Sequence, residues 1–596
     1  MKKERWRLYA KKADFAAISK AYGINQVTAR IMRNRGVETK EEIESYLKGD
    51  LDYLSDPALM KDADKAASLL EAAIVNNELI AISSDFDNDG IFSGLLLKEA
   101  IIELGGRAAI FTPNRVMEGY GVNSRIVEEA NANGASVLLT CDNGIAAFEA
   151  IDEAKKLGMT VIVTDHHEVP FEEHDGKKTY LLPKADAIVD PKQEDCAYPF
   201  KSLCGTGVAY QLMTLLFRRM KRTMSRQEIF LQYTAIATVA DVMELVGENR
   251  ILVRKGLSYL NHTNHTGLRA LMEVCGISPE QVRAYHIGFI LGPCFNAAGR
   301  LDTIVHALAL LESKEYDQAL ALAGELWAMN EERKELTRVG TERAVELIEH
   351  ATWKDEHVYL VYIKDCHESV AGIIAGRLRE RYYRPVLVFT DASEEGQIKA
   401  SGRSIDDYDM FTELSAFRNL FLRFGGHKMA AGLTMEKKNL EILRDGLNAR
   451  CTLTQTQLMP LVMIDAAMPL GYISEEVIAD LEKLEPFGRA KTTPLVPIVV
   501  KALPSVTTPV PTAAAALSPA PPATIVPTLR PVSSAAFSVI FPVTSQDSYT
   551  FASMDISIPS LSQISLLQQR LGTSSSCIPD ASETSVAYSP VSINLM

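Results

Sequence analysis

The chain has 596 residues, 47% of them hydrophobic, and a formal net charge of -14. That length allows several domains and a large core, and the acidic balance excludes a generic coat for polyanions while admitting a nucleic-acid enzyme whose positive field is local or metal-borne. No run of roughly 18 apolar residues suggests a membrane span. The charged start Met1-Lys2-Lys3-Glu4-Arg5-Trp6 lacks an apolar signal core, and eight cysteines without CxxC spacing suggest neither zinc knuckle nor disulfide framework, which fits a reduced, cytoplasmic setting.

Residues 1–55 read as short helices, with apolar residues at helical spacing over 24–35 and 39–47 and a capping box from Thr39 to Glu42. Arg30, Arg33 and Arg35 read better as a solvated helix face than as phosphate contacts. An amphipathic helix is expected over 62–75, then a strand Leu79-Ile80-Ala81-Ile82-Ser83 running into Asp85-Phe86-Asp87-Asn88-Asp89-Gly90 and a helix over 92–104. Three acids at alternate positions repel one another, a cost that a cation relieves. Calcium of the EF-hand kind is rejected, because loop position twelve is Leu96 and a strand, not a helix, comes first.

The rhythm repeats. Val137 to Thr140 is a strand ending in Cys141-Asp142-Asn143-Gly144, with a helix over 146–156. Val161-Ile162-Val163 ends in Thr164-Asp165-His166-His167-Glu168, and Ala187-Ile188-Val189 in Asp190-Pro191. Strand, polar loop and helix in alternation predict a parallel sheet whose strand ends carry the site. The two adjacent histidines are expected to do different jobs. Cys204-Gly205-Thr206-Gly207 opens a helix over 208–220, and a later helix carries Asp241 as a lone acid in an apolar run, which calls for a metal or an arginine.

Asn296-Ala297-Ala298-Gly299-Arg300 follows, and residues 311–351 predict one long charged helix joining two lobes. A second sheet is expected from Val358-Tyr359-Leu360-Val361-Tyr362 and Pro385-Val386-Leu387-Val388-Phe389. Ser369 to Arg377 reads as a loop and helix start, Lys399 to Ser404 as a basic strand end, and Phe424 to Gly432 as a glycine-rich loop entering a helix, able to bring backbone N–H groups to an anion. From residue 489 the composition turns to Ala, Pro, Ser, Thr and Val with few charges, and this tail (489–596) is expected to be disordered. A shift of reading frame would produce such a switch; resequencing across codon 488 tests it.

Four loops thus offer ligands: Asp85/Asp87/Asp89, Asp142, Asp165/His166/His167 and Asp241. Carboxylates with an imidazole and no cysteine suit manganese or magnesium better than zinc. A carboxylate bridging two ions about 4 Å apart could clamp the attacking and leaving oxygens of a phosphodiester. With Asp165-His166-His167 these motifs resemble the DHH phosphoesterase family, and from about residue 50 to 487 their order resembles its single-stranded-DNA-specific exonucleases, down to Ser401-Gly402-Arg403-Ser404 and Gly425-Gly426-His427 of a DHHA1-type second domain and Leu484-Glu485-Pro486-Phe487-Gly488 leading into an OB-fold.

The resemblance implies an α/β fold of two lobes, a parallel-sheet DHH domain and a smaller DHHA1-type domain joined by a long helix, with a strand of DNA between them. The implied domains are 1–55 helical, 56–245 DHH, 246–350 helical and connecting, 351–450 DHHA1, 451–488 the start of an OB-like domain, and 489–596 the tail. It implies two manganese or magnesium ions held by Asp87, Asp89, Asp142, His166 and Asp241, with Asp142 as the bridge. It also implies His167 at the scissile phosphate, Asp85 supporting the first loop, and Asn296, Arg300, Ser369, Arg377, Ser401, Arg403, Gly425, Gly426 and His427 on the substrate. The activity implied is 5′-to-3′ hydrolysis of single-stranded DNA in repair and recombination, by a cytoplasmic monomer away from membranes, with a helicase or single-strand-binding protein as partner. A phosphodiesterase for short or cyclic oligonucleotides and a catalytically weak nucleic-acid-binding protein are the alternatives. Two features depart from the family: Ser83 stands where a histidine is frequent, and the tail lacks the aromatics and cations of an OB-fold, which predicts weakened DNA affinity with the hydrolytic core kept.

Overall fold

The computed structural model describes residues 4–113, 121–174, 177–301, 304–469 and 472–488, together with 498–499, 536–545, 548–557 and 590–592. Among them no helix is long and apolar enough to cross a membrane. The chain forms two compact units, one of Met1–Glu38, Met459–Leu484 and Thr493–Met596, the other of Thr39–Leu458 and Glu485–Thr492.

In the first unit the strand Arg5–Leu8 pairs in parallel with Leu461–Ile464, and the helices Phe15–Tyr22 and Gln26–Asn34 follow. The three arginines expected on a solvated face have partners inside the unit. Arg30 lies over the Phe15 ring at 4.5 Å, Arg33 pairs with Glu38 at 2.7 Å, and Arg35 is buried beside Asp465. Within 489–596 the described residues are strands: Ile498–Val499, the antiparallel pair Ala536–Ser545 and Ser548–Ser557, and Pro590–Ser592. The remaining residues of that expected disordered tail lie outside the described ones.

Among its described residues the second unit holds two five-stranded sheets and a two-stranded one that pairs Phe171–His174 with Lys177–Tyr180. In the first, β1 (Leu79–Ser84), β2 (Arg107–Phe111), β3 (Ala135–Cys141), β4 (Thr160–Thr164) and β5 (Ala187–Val189) lie in the order β2-β1-β3-β4-β5, every pair parallel. Alternate strand residues serve opposite cores, as a pleated strand requires. Ile80, Ile82, Val137, Leu139 and Ile162 pack on one face, and Ala81, Leu138, Val161 and Val163 on the other. The helices α1 (Asn88–Glu103), α2 (Phe148–Lys156), α3 (Gly205–Arg219) and α4 (Gln227–Ala240) cover these faces. α1 begins a full turn earlier than expected because Asp87 caps it, its carboxylate accepting from Gly90 N–H at 3.1 Å. Gly90 is therefore helical, and a Cβ there would stand 2.4 Å from the Asp85 carbonyl oxygen.

Beyond a one-turn helix and a π-helical segment, α5 (Gly292–Leu301) leads to a helix Val305–Glu312 and then α6 (Tyr316–Glu349), 34 residues long. The single long helix expected from residue 311 is thus broken at Ser313, whose hydroxyl bonds the Glu315 carbonyl. The second sheet is mixed: β6 (Tyr359–Tyr362), β7 (Val386–Asp391), β8 (Gln397–Arg403), β9 (Phe421–His427) and β10 (Ala430–Glu436) lie in the order β9-β10-β8-β7-β6, only β6 and β7 being parallel. Between β6 and β7 runs α7 (Glu368–Tyr382), which takes in the expected loop at Ser369. The glycine-rich stretch 424–432 is not a loop entering a helix: Gly425 pairs with Gly432 in a tight β9–β10 hairpin. Glycine permits it, since Gly426 has φ +152° and a Cβ there would meet the Ala430 carbonyl at 2.5 Å.

Candidate metal centre

Four chain segments converge at the carboxyl edge of the first sheet. After β1, Asp85 is fully buried and Asp87 sits at the head of α1. Asp89, on the first turn, is gripped by the start of α3: Gly205 N–H donates to it at 2.6 Å, Thr206 N–H at 2.7 Å and the Thr206 hydroxyl at 2.7 Å. A helix N-terminus is a natural seat for a carboxylate. After β3, Asp142 adopts φ +60°, a conformation an aspartate tolerates better than most residues. Its neighbour Asn143 fixes the turn, donating to the carbonyls of Ser83 at 3.2 Å and Cys141 at 2.9 Å. Gly205 passes so close that a Cβ would lie 2.7 Å from the Asp142 Cβ.

After β4, Asp165 turns away from the acids and organises its own loop. It accepts from Ile145 N–H at 2.9 Å, His166 N–H at 2.7 Å and His167 Nδ1 at 2.7 Å. The His166 and His167 rings lie 4.4 Å apart, yet their settings differ as the sequence suggests. His166 is buried, its Nε2 3.0 Å from Asp142, 3.6 Å from Asp89 and 3.9 Å from Asp241, and its buried Nδ1 has no hydrogen-bond partner among the described residues. The His167 side chain is 45% exposed and lines a cavity of about 650 Å³ with Asn143, Gly144, Asp165 and Glu168. Asp241 ends α4, where the chain turns through Val242 at φ +57°.

Two ligand groups result, Asp142/His166/His167 and Asp89/His166/Asp241, with the atoms of each group within 4.8 Å of one another. Burial and the Asp89 charge raise the Asp87 carboxyl, and burial with the Asp89 and Asp87 charges raises Asp142 well above the ordinary range. The same causes push Asp241 up to about 8. Burial would lower His167, but its bond to Asp165 and the surrounding acids raise it to about 9, making it a local positive charge. A pocket that holds this many acids out of water with one imidazolium is matched to divalent cations. Oxygen donors with one nitrogen fit manganese or magnesium.

The expected substrate residues divide into two sets. Asn296 and Arg300 share α5, where the Asn296 side chain accepts from Asn88 N–H at 3.1 Å and Arg300 donates to the Ser369 carbonyl at 2.7 Å. Ser369, Ser401 and Gly425 line one cavity of about 390 Å³ with Lys399 and Phe424. Arg403 lies beside it, its guanidinium 3.0 Å from where a Cβ on Gly372 would stand. Arg377, Gly426 and His427 are exposed and are not among the lining residues. The positioning roles of Asp165, Asn143, Thr206 and Gly205 were not anticipated. The only sequence signal for the last two is a glycine-rich helix start at Cys204-Gly205-Thr206-Gly207.

Comparison with known proteins agrees with this architecture. Residues 79–238 match the DHH family N-terminal domain and residues 355–452 the DHHA1 domain. The chain is 34% identical over 496 residues to the single-stranded-DNA-specific exonuclease RecJ of Bacillus subtilis, covering 83% of this chain but only 61% of that relative's length. It is 35% identical over 486 residues to RecJ of Escherichia coli, covering 78% of this chain and 82% of the relative. The crystal structure of Thermus thermophilus RecJ in complex with manganese superposes with a TM-score of 0.70 at 28% identity, covering 83% of this chain and 69% of that one, and its magnesium complex gives 0.65 at 26% identity.

Proposed function

The chain belongs to the RecJ family of single-stranded-DNA-specific exonucleases, and from that premise we propose that it hydrolyses phosphodiester bonds of single-stranded DNA from the 5′ end, in repair and recombination, with two manganese or magnesium ions. The observation that carries the reading is the meeting of Asp87, Asp89, Asp142 and Asp241 around His166 at one sheet edge. These five residues would hold the ions, with Asp142 shared between them. Bound divalent ions neutralise phosphate charge and make water a competent nucleophile near neutral pH.

The protein's own groups do the rest. Asp89, fixed by three donors from α3, keeps its oxygens aimed at one point, and Asp142 is wedged against Gly205. Asp165 holds the His167 proton at Nδ1, so that Nε2–H can donate to the scissile phosphate as negative charge grows on it. Asp85 supports the first loop from beneath. Arg300 and Arg403, with Asn296, Ser369, Arg377, Ser401, Gly425, Gly426 and His427, bind the strand's phosphates, and guanidinium forks suit that task. The chain acts as a cytoplasmic monomer, supplied with single strands by a helicase or a single-strand-binding protein.

The test uses the purified full chain with manganese and end-labelled 40-nucleotide strands, dinucleotides and cyclic dinucleotides. Release of mononucleotides from the 5′ end of the long strand is expected. Cleavage of only the short or cyclic substrates would replace this reading with an oligonucleotide phosphodiesterase. Truncation after Gly488 should leave DNA affinity nearly unchanged; a large loss would show that the tail contributes a DNA-binding surface.

A further inference from the structure

The seven described cysteines are free thiols, and two of them meet. Cys275 ends the helix Thr266–Val274, and Cys294 lies in α5. Their sulfurs are 3.9 Å apart. By contrast the Cys141 sulfur faces the Ser83 carbonyl and the Cys204 sulfur the Thr238 hydroxyl. The two members of the pair differ in access: Cys294 is fully buried, whereas Cys275 is half-buried. Asn330 of α6, itself fully buried, donates to the Cys294 sulfur at 3.5 Å, and its side-chain oxygen accepts from the Arg333 guanidinium at 3.1 Å and 2.9 Å. The bond from Cys294 first, and the Lys334 charge as well, hold the Cys275 thiol below its ordinary value against the pull of burial. A partly exposed thiol that gives up its proton readily beside cations is the kind that oxidants attack.

The pair also sits where a small movement matters. Asn88, between Asp87 and Asp89, donates its side-chain N–H to the Gly292 carbonyl at 3.0 Å and its backbone N–H to the Asn296 side chain at 3.1 Å. Cys294 lies between these two anchors. A disulfide is about 2.05 Å long, so the sulfurs must approach by about 2 Å to form one. The helix that ends at Cys275 cannot absorb all of that. Its last carbonyls are taken by the N–H groups of Gly276 and Ile277, which bond Glu273 and Met272, and Ile277 is anchored in the core. The displacement is therefore shared with α5, and α5 passes it to Asn88 and the acids on either side.

We propose that Cys275 and Cys294 form a reversible disulfide when the protein meets a peroxide, and that closing it slows hydrolysis by displacing α5; the second half rests on the exonuclease reading above. The Cys275 thiolate attacks one oxygen of hydrogen peroxide, the O–O bond breaks, and the other oxygen leaves as water with a proton from solvent. Cys275 is then a sulfenic acid. The Cys294 sulfur attacks it, the S–O bond breaks, and the hydroxyl leaves as water with the Cys294 proton. Two thiols have lost two electrons and two protons, and the peroxide has been reduced to two waters. Cys294 reaches the oxidant only through Cys275, and by trapping the sulfenic acid it stops oxidation at a stage that a dithiol reverses. In reducing compartments disulfides are mostly transient and redox-sensing, which suits a pair that rests as free thiols.

The experiment treats the reduced full chain with hydrogen peroxide, destroys the excess with catalase, and then measures peptide masses without reduction alongside hydrolysis of an end-labelled single strand with manganese. A linked Cys275–Cys294 peptide, two hydrogens lighter than its parts, is expected. Hydrolysis should fall on the order of 100-fold, and dithiothreitol should reverse both changes. C275S and C275A should each keep the starting rate and lose none of it to peroxide; two variants guard against a folding defect in one. C294S should hold Cys275 as a sulfenic acid that dimedone labels. Absence of the linked peptide would overturn the proposal, and so would a linked peptide with an unchanged rate. An equal loss of rate in C275S and C275A would overturn it too, because the damage would lie elsewhere. The exonuclease reading fails separately, if the untreated chain releases no mononucleotides, while the linked peptide is read without any activity.

Discussion

The two five-stranded sheets of the larger unit handle charge in opposite ways. At the edge of the parallel sheet the acids are buried and fixed by backbone donors: Asp89 by Gly205 and Thr206, Asp165 by Ile145 and His166. On the mixed sheet, and on α5 where it reaches α7, the cations are half-buried or exposed and lean on carbonyls, as Arg300 of α5 does on Ser369 and Arg403 on Gly402 at 2.8 Å. Buried acids without a cation are costly to the fold, whereas guanidinium groups at a rim are not. The difference matches the two tasks proposed for them: a metal would relieve the electrostatic strain of the first region, and a phosphate would organise the adaptable donors of the second.

Asp142→Asn should lower hydrolysis on the order of 10⁴-fold, as loss of a central catalytic group does. It should at the same time raise the melting temperature of the metal-free protein, because the raised Asp142 carboxyl is a burden without a cation. Retained activity would place the centre elsewhere.

The next effect concerns Asp190, buried behind the same sheet edge and raised to about 8, first by burial and also by the Asp165 charge. Its folded state holds the proton more tightly than the unfolded chain does. Its contribution to stability is therefore whole below about pH 4 and is lost as pH rises toward 8, amounting to roughly 5 kcal/mol across that window. Denaturant melts of metal-free protein at pH 5 and pH 8 should show the loss, and Asp190→Asn should flatten it. An unchanged slope in that variant would refute the assignment.

A smaller effect is expected from G205A, whose methyl group would press on Asp142 at 2.7 Å. Displacing a ligand by a fraction of an ångström should reduce kcat about 100-fold with little change in KM. Arg300→Ala, on the adaptable side, should instead raise KM for a 5′-phosphorylated strand about tenfold, the usual worth of one charge-assisted contact, with kcat nearly kept. If G205A altered KM and Arg300→Ala altered kcat, the division of labour between the sheets would be reversed.

Much of this was legible in the sequence. The strands β1, β3, β4 and β5 are short runs rich in β-branched and apolar residues, each ending in an acid or an acid with histidines, and such runs identify themselves. Asp142 and His166 follow parallel strands, whose carboxyl ends meet at one edge; Asp241 ends a helix, and the ligand set came from the family resemblance. What was not legible depends on contacts between distant segments. Nothing local tells that Gly205 must be glycine because Asp142 is its neighbour, or that Asn88 reaches Gly292. The stretch 424–432 was misread because glycines usually mark loops, and here they let two strand backbones close on each other. Asp165 stood among the loop acids by its place in the motif; in the structure it bonds Ile145 N–H, His166 N–H and the His167 ring and belongs to neither ligand group.

The backbone N–H of Asn88 donates to the Asn296 side chain. It ties the acidic loop to the helix that carries Arg300, so the spacing between that loop and the guanidinium is set by four residues of α-helix, about 6 Å of rise. A rigid helix keeps that gap constant however long the substrate is. With the terminal phosphate on Arg300, as proposed, the tie would act as a ruler that sets the length of the fragment released at each step.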